Sequence, residues 1–495
     1  MERNREYSIF GRHIGYIIAS QIAVLLLGLI QIPILTKGLG ASLYGIFSVL
    51  SITISLISYT AVLGLSTGVI RFLPVEKDKS RLREGFLSAY FTVCLSAAVF
   101  SAVLLLFSDQ FAAFILNDDG SAIYVRLTSI LVLMNSVNII SMVFFRVLRQ
   151  MGLYAIITLI YHICEVGLIA AAILLGYKLT GVLGALIING VLFNLILLII
   201  ILRRIGLSIP RFSDLKPYLL YSLPLILNPV IIWIINSSDR YLVSYFAGVA
   251  ATGIYSAAYV MGNYASFALT PLTIVLYPTV AKAYDEADMA KTKNYLRYSI
   301  KYLMMTTIPA AFGLSILARP LLTILTTPEF ISGSIVVPFV AFGAVLFCLF
   351  QVCIYVVHLV KKTYWSLLLM SASAILNIVL NMILIPRLGI LGAAVATFLA
   401  YGMLGIATVM VSRRYLKFDL SLPFIGRSII SAGIMTLCIW LISPQSLWAV
   451  LLSIFLGAVL YLAVLWAIKG FSKGEIAFFA NFVKGNLGKI GLTKE

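Results

Sequence analysis

Gly40-Ala41-Ser42-Leu43-Tyr44-Gly45-Ile46-Phe47-Ser48 returns 208 residues later as Gly248-Val249-Ala250-Ala251-Thr252-Gly253-Ile254-Tyr255-Ser256. A second pair keeps the same offset: Gly181-Val182-Leu183-Gly184-Ala185 against Gly389-Ile390-Leu391-Gly392-Ala393. Two matches at one spacing mark an internal duplication. Both lie beside long apolar runs, so the duplicated unit is a bundle of membrane helices. Many secondary transporters build a substrate path between two such bundles.

Composition agrees. Of 495 residues, 62% are hydrophobic and only 11% charged, more apolar surface than a water-soluble chain of this length can hide. The five cysteines fall inside apolar runs, with no metal or disulfide spacing, and read as small packing residues. Arg3, Arg5 and Arg12 precede an apolar run as in a signal peptide, but that run is long enough to span and no small-residue cleavage site follows. It reads as a retained first helix.

Runs of spanning length fall at approximately 14–35, 43–69, 86–107, 121–145, 154–176, 181–202, 217–238, 248–275, 298–318, 334–357, 364–385, 389–411, 427–443 and 447–468. An all-α polytopic protein of about fourteen helices is the expectation. Numbering the connecting segments alternately, starting inside, puts 30 of the 36 basic residues on the inside. A miscounted span would scramble that bias, so both termini are expected in the cytoplasm and the chain in the plasma membrane. The net charge of +18 then marks the face that meets anionic lipid headgroups. Its dispersal over many short segments argues against nucleic acid as a partner. The matched spans lie six apart, so both copies cross in the same direction, as parallel repeats do. The expected units are 1–210, a six-helix lobe; 211–415, its repeat; and 416–495, two added helices and a basic tail.

Five phrases carry a family resemblance: LGASLYGIFSVLS (39–51), GVIRFLP (68–74), RQMGLY (149–154), the stretch from YSLPLILNPV to YSAAYVMG (221–262), and PRLGILGAAVATF (386–398). With the 6+6+2 plan, the chain resembles the polysaccharide-transport branch of the multidrug/oligosaccharidyl-lipid/polysaccharide exporter superfamily, which includes O-antigen and teichoic-acid flippases. The likeness covers nearly the whole chain, and its phrases are structural. It implies a V-shaped pair of lobes that moves a polyprenyl-(pyro)phosphate-linked glycan across the membrane by alternating access. A single chain holding both lobes implies a monomer. Contacts with membrane lipids are implied, and contacts with glycan-assembly enzymes are left open.

Candidate functional residues cluster on a few spans. In the fifth, Tyr154, Thr158, Tyr161 and Glu165 share one face, with His162 beside them. A carboxylate near mid-span costs roughly 2.5–3.5 kcal/mol. Glu165 and His162 are therefore candidates for proton or sodium coupling, the alternative being a hydrogen bond that only ties helices together. In the seventh span Pro224 and Pro229 break the backbone ladder, and Tyr221, Asn228 and Asp239 fall near one face if the kinks are mild. This predicts a bending helix that lines the path. Arg240 is either available to an anionic substrate or paired locally with Asp239. Arg71, Arg126 and Arg146 lie at helix ends; each is a candidate pyrophosphate contact or an anchor reaching for lipid phosphate. The asparagine pairs Asn135/Asn138 and Asn377/Asn381 suit helix–helix hydrogen bonding.

Other signals lead nowhere. Asp285-Glu286-Ala287-Asp288 spells a helicase box, but the sequence contains no Gly-x4-Gly-Lys-Ser/Thr loop, which also argues against an ATP-driven pump. Asp118-Asp119 is a weak echo of a sugar-transferase acid pair. The expectation is a non-enzymatic flippase without a cofactor beyond a coupling H+ or Na+. Its rivals are a multidrug or cation antiporter of the same superfamily and, less well supported, a membrane glycosyltransferase or ligase.

Overall fold

The computed structural model describes residues 2–75, 78–208, 210, 212, 215–472 and 475. Lys77, Arg211, Lys473, Lys484, Lys489 and Lys494, counted above in the charge alternation, lie outside them, as do the side chains of Arg3, Arg5, Arg12 and Asp119.

Among the described residues, fifteen α-helices of eight or more residues follow one another: α1 Glu2–Ala61, α2 Leu65–Phe72, α3 Lys79–Leu106, α4 Ala122–Val147, α5 Met151–Leu174, α6 Lys178–Ile205, α7 Leu215–Ser222, α8 Leu227–Asn263, α9 Leu269–Asp285, α10 Met289–Leu325, α11 Val336–Leu359, α12 Tyr364–Leu388, α13 Ile390–Tyr415, α14 Leu422–Ile442 and α15 Leu447–Ala467. Among the described residues, twelve helical stretches are long and apolar enough to cross a membrane. Two of these, Gly15–Ala61 and Leu215–Ser266, have 47 and 52 residues. At about 1.5 Å per residue, each exceeds twice the ~30 Å hydrocarbon core. Counted as two crossings each, they restore the number of about fourteen. The protein is a multi-pass membrane protein.

The repeat is visible in the backbone. α1 breaks at Gly40 (φ 71°, ψ 175°) and α8 at Gly248 (φ 85°, ψ 168°). Both glycines take a left-handed φ that a side chain disfavours, at the first residue of each repeated phrase. The two phrases then cross one another. A Cβ on Gly45 would sit 1.8 Å from Val249 O, and one on Gly253 would sit 2.0 Å from Ala41 O. No side chain fits at either site, so glycine lets the two backbones touch. Just beyond, Ser48 Oγ donates to Ser256 Oγ at 2.6 Å, joining equivalent residues of the two copies. The same logic recurs nearby: Thr36 donates to Leu325 O at 3.3 Å and Ser244 to Ile115 O at 2.7 Å, and Thr36 and Ser244 are themselves 208 residues apart.

The halves also meet at the other end of the bundle. There a Cβ on Gly64 would lie 2.5 Å from Ser222 O, and Phe72 stacks on Tyr218 with ring centroids 5.2 Å apart. One apolar cluster, including Leu50, Tyr255 and Phe330, underlies the glycine crossing; another, around Phe86 and Phe144, fills the N-terminal half. A third joins α10 and α11 to the added helices through Met304, Met435, Ile439 and Tyr461. Between α7 and α8, Leu223–Ile226 wind as a 3-10 turn. This is the bend that Pro224 and Pro229 predict. The helicase-like tetrapeptide closes α9 and opens α10, where Asp288 caps the Lys291 N–H at 2.9 Å.

Candidate functional site

The chamber between the halves is built on α8. Asn236 and Arg240, four residues apart, project on one stripe; Ile235, Asp239 and Val243 form the next stripe and are buried. The first stripe lines a cavity of about 420 Å³, shared with Tyr44, Ser51, Tyr259 and Tyr401. Arg240 is held from several sides. Its Nη1 donates to Asn236 O at 2.9 Å and lies 3.7 Å from Asp239 Oδ1, and its guanidinium carbon stands 4.3 Å over the Tyr259 ring. A guanidinium carries five N–H donors, so this arginine is fixed and still able to take a phosphate or carboxylate oxygen from the cavity.

Asp239 is fully buried. It accepts from the Arg240 backbone N–H at 2.8 Å, from Tyr255 OH and from Thr397 Oγ1 at 3.4 Å. The relay continues from Asn377 Nδ2 to Thr397 at 3.3 Å and from Asn381 Nδ2 to Asn377 Oδ1 at 2.9 Å. Asn381 Oδ1 ends it, buried without a hydrogen-bond partner. These are hard oxygen donors of the kind small cations take. The asparagine pair thus ties helices together, as its spacing predicts, inside a network that sequence spacing does not show.

The chamber opens into further space. A cavity of about 740 Å³ beside α1 shares Arg240, Tyr259, Asn263 and Ser266 with it. That cavity shares Tyr264 and Phe267 with a third, of about 510 Å³, walled almost entirely by apolar side chains of α10, α14 and α15. A polar chamber therefore grades into an apolar one through shared walls.

The remaining candidates scatter. Arg126 is engaged by Asp109 at 2.9 Å in an exposed pair and by Ser108 at 3.3 Å, away from the described cavities. It lines none of the cavities described above and has a local acidic partner. Arg71 is exposed at the end of α2 and lines none of the cavities described above. Tyr221 packs edge-on against Phe72 at 5.5 Å, and Asn228 is exposed. The 3-10 turn at 223–226 lies between Tyr221 and the other two and takes Tyr221 off their face; Asn228 and Asp239, eleven residues apart within α8, stay near one face, Asn228 at its exposed end and Asp239 buried. Glu165 accepts or shares a hydrogen bond with His162 Nδ1 at 2.9 Å. His162 lies with Tyr154, Asn138 and Arg146 in a separate cleft of about 330 Å³ between α4 and α5. Sequence reasoning missed Tyr44, Tyr259, Tyr401 and Asn236. Only Asn236 carries a local signal, as the first of five polar residues in a row, 236–240, within an apolar run.

Comparison with known proteins gives this geometry a family. The solved structure of the lipid II flippase MurJ in an inward closed conformation superposes with a TM-score of 0.71 at 16% identity, over 91% of this chain and 99% of that one. An inward-facing multidrug resistance MATE family transporter of the MOP superfamily gives 0.65 at 14% identity, over 81% and 98%. These likenesses establish the fold. The "Probable low-salt glycan biosynthesis flippase" of Haloferax volcanii is 23% identical over 53% of this chain and 57% of its own length. An uncharacterized membrane protein of Methanocaldococcus jannaschii is also 23% identical, over 47% and 46%. The chain spans about half the length of the curated relatives it matches. A MatE family model matches residues 224–383. The model described as polysaccharide biosynthesis protein matches residues 10–284, more than half of the sequence, and the chain belongs to that family.

Proposed function

We propose that this protein flips a polyprenyl-linked oligosaccharide across the plasma membrane by alternating access, with its basic end and both termini in the cytoplasm. The observation that carries the reading is the graded path: a chamber holding Arg240 shares walls with a cavity that in turn shares walls with an apolar space among α10, α14 and α15. An amphipathic ligand with a phosphorylated head and a long hydrocarbon tail matches that sequence of surfaces. The head phosphate sits at Arg240, and the tail follows Tyr264 and Phe267 toward the added helices. Residues 1–210 and 211–415 rock about the glycine crossing, and 416–495 support the tail. No bond is made or broken in the substrate, so neither an enzyme's nucleophile nor a cofactor is needed. The transporter works as a monomer in contact with membrane lipid, and glycan-assembly enzymes deliver its substrate.

Coupling is assigned to Glu165 with His162, through a proton or sodium gradient. The Asp239–Thr397–Asn377–Asn381 oxygens are the alternative seat for a cation. Proteoliposomes loaded with polyprenyl-linked oligosaccharide, probed with an external glycosidase under pH and sodium gradients in turn, test both points. Protein-dependent exposure of the glycan is expected. Its absence with several glycan lipids and folded protein would sink the flippase reading. Glu165→Gln should abolish gradient stimulation and leave folding intact; unchanged stimulation removes Glu165 from the coupling role. The MatE match and fold favour a second reading, a multidrug or cation antiporter. The chamber's fixed charge is a cation, which disfavours cationic drugs, and unchanged drug susceptibility of a deletion strain would exclude it.

A further inference from the structure

The cleft between α4 and α5 is left unused by the path just described. One stripe of α4, carrying Asn135, Asn138 and Arg146, faces one stripe of α5, carrying Tyr154, Tyr161 and His162. Ser66 of α2 lies at its edge, and the volume of about 330 Å³ is that of a small-molecule pocket. Its chemistry is one-sided. A guanidinium, two carboxamides, two phenols and an imidazole line it, and no carboxylate does so among the described residues. Glu165, one turn along α5, is held by His162 outside that lining. Arg146 is exposed to the cleft and, unlike Arg126 and Arg240, is engaged by no acidic side chain among the described residues. Carboxamides both donate and accept, as a ring of hydroxyl groups requires, and a guanidinium takes a carboxylate through two parallel hydrogen bonds.

We propose that this cleft is a subsite for an acidic sugar of the glycan head, with Arg146 reading the sugar's carboxylate. The assignment rests on the glycolipid flippase reading and adds a substrate class to it. Ser51 of the chamber and Ser66 of the cleft are separated by the last ten residues of α1, roughly 15 Å of helix, and by the turn at 62–64. A head with its phosphate at Arg240 and an acidic sugar at Arg146 is therefore an extended oligosaccharide.

The competing source of a negative charge is a lipid phosphate reaching Arg146. Isothermal titration of the full chain in zwitterionic nanodiscs separates the two, with tetragalacturonate, maltotetraose and inorganic phosphate as probes. Tetragalacturonate is expected to bind at least tenfold more tightly than maltotetraose. Arg146→Gln should weaken it at least tenfold, Arg146→Lys should recover part of the loss, and Arg126→Gln, which removes the same charge from an exposed pair, should change nothing. Equal binding of the neutral and acidic sugars overturns the proposal, as does an unaltered Arg146→Gln protein or no binding at all. Displacement of tetragalacturonate by equimolar phosphate would also overturn it, in favour of a lipid-phosphate anchor. Circular dichroism checks that each variant is folded. Sugar binding without glycolipid translocation would keep the site and discard the flippase reading; translocation without sugar binding would do the reverse.

Discussion

The two halves of this molecule share a scaffold and differ in what they bury. Around the crossing they are near copies: Gly45 and Gly253 admit each other's backbone, and Ser48 meets Ser256. A turn or two away the likeness ends. The C-terminal half buries Asp239 and Arg240 in a polar network, whereas the residues 208 positions earlier are Gln31 and Ile32, half-buried and buried. The duplication preserves the places where backbones must touch. It leaves free the places where side chains face the chamber, and one cation stands on one wall of it.

The largest effect should come from breaking what the halves share. Gly253→Leu would drive a side chain into the Ala41 carbonyl, costing roughly 3 kcal/mol or more, and the variant should fail to elute as a monodisperse peak on size-exclusion chromatography. A well-behaved variant would show that the crossing is looser than its geometry. Next comes the divergent element. Asp239→Leu leaves the Arg240 guanidinium without its counter-charge, a loss of about 3–5 kcal/mol, while Gln31→Leu should change stability by less than ~1 kcal/mol. Thermal unfolding in detergent, followed by a thiol dye reporting on buried Cys348 and Cys353, compares the two, and equal shifts would erase the asymmetry.

A third test concerns the added helices, which neither repeat contains. Lys301 Nζ lies 2.7 Å from both carboxylate oxygens of Glu475, and Ser472 caps the same group at 2.8 Å. Burial pushes the Glu475 carboxyl up, but these bonds outweigh it and hold it below its ordinary value of 4.5. Because the folded value is depressed, the stabilisation is complete above 4.5 and fades as pH falls through the lower folded value. Glu475→Gln should cost roughly 1.5–3 kcal/mol at pH 7 and flatten the melting temperature's fall below pH 4.5. A melting curve with wild-type pH dependence would place that sensitivity elsewhere. The smallest effect is expected at Arg126→Ala, under ~1 kcal/mol, because its partner Asp109 is exposed. A larger loss in transport would return Arg126 to the path.

Local features read well from sequence and distant contacts did not. Repeated phrases, apolar runs and prolines each act on their own backbone, so the duplication and the bend at residues 223–226 were legible, whereas the left-handed breaks at Gly40 and Gly248 emerge only from the structure. Asp239 and Arg240 stood out as charges in an apolar run. Their companions did not, because Tyr259 and Tyr401 pair across 142 residues and Thr397 reaches Asp239 across 158. The local partner of Arg126 was equally hidden: it sits 17 residues back, and charge alternation gives side but not pairing. Tyr221 is separated from Asp239 by a single 3-10 turn, which rotates everything before it, whereas Asn228 keeps the face of Asp239 but sits at the exposed start of α8.

The crossing has the form of an isologous interface, in which residue i of one copy contacts residue j of the other and the reverse holds too. In a dimer of identical six-helix chains, Ser48 would face its own twin, and any charge set into the wall would appear twice, opposed across the axis. Two such arginines would repel unless both were paired. One polypeptide carrying both copies escapes that arithmetic: it can mount a single guanidinium at 240 and leave isoleucine at 32. Fusion thus lets a symmetric frame carry a charge off-centre, giving the chamber an asymmetry that no homodimer of either half could have.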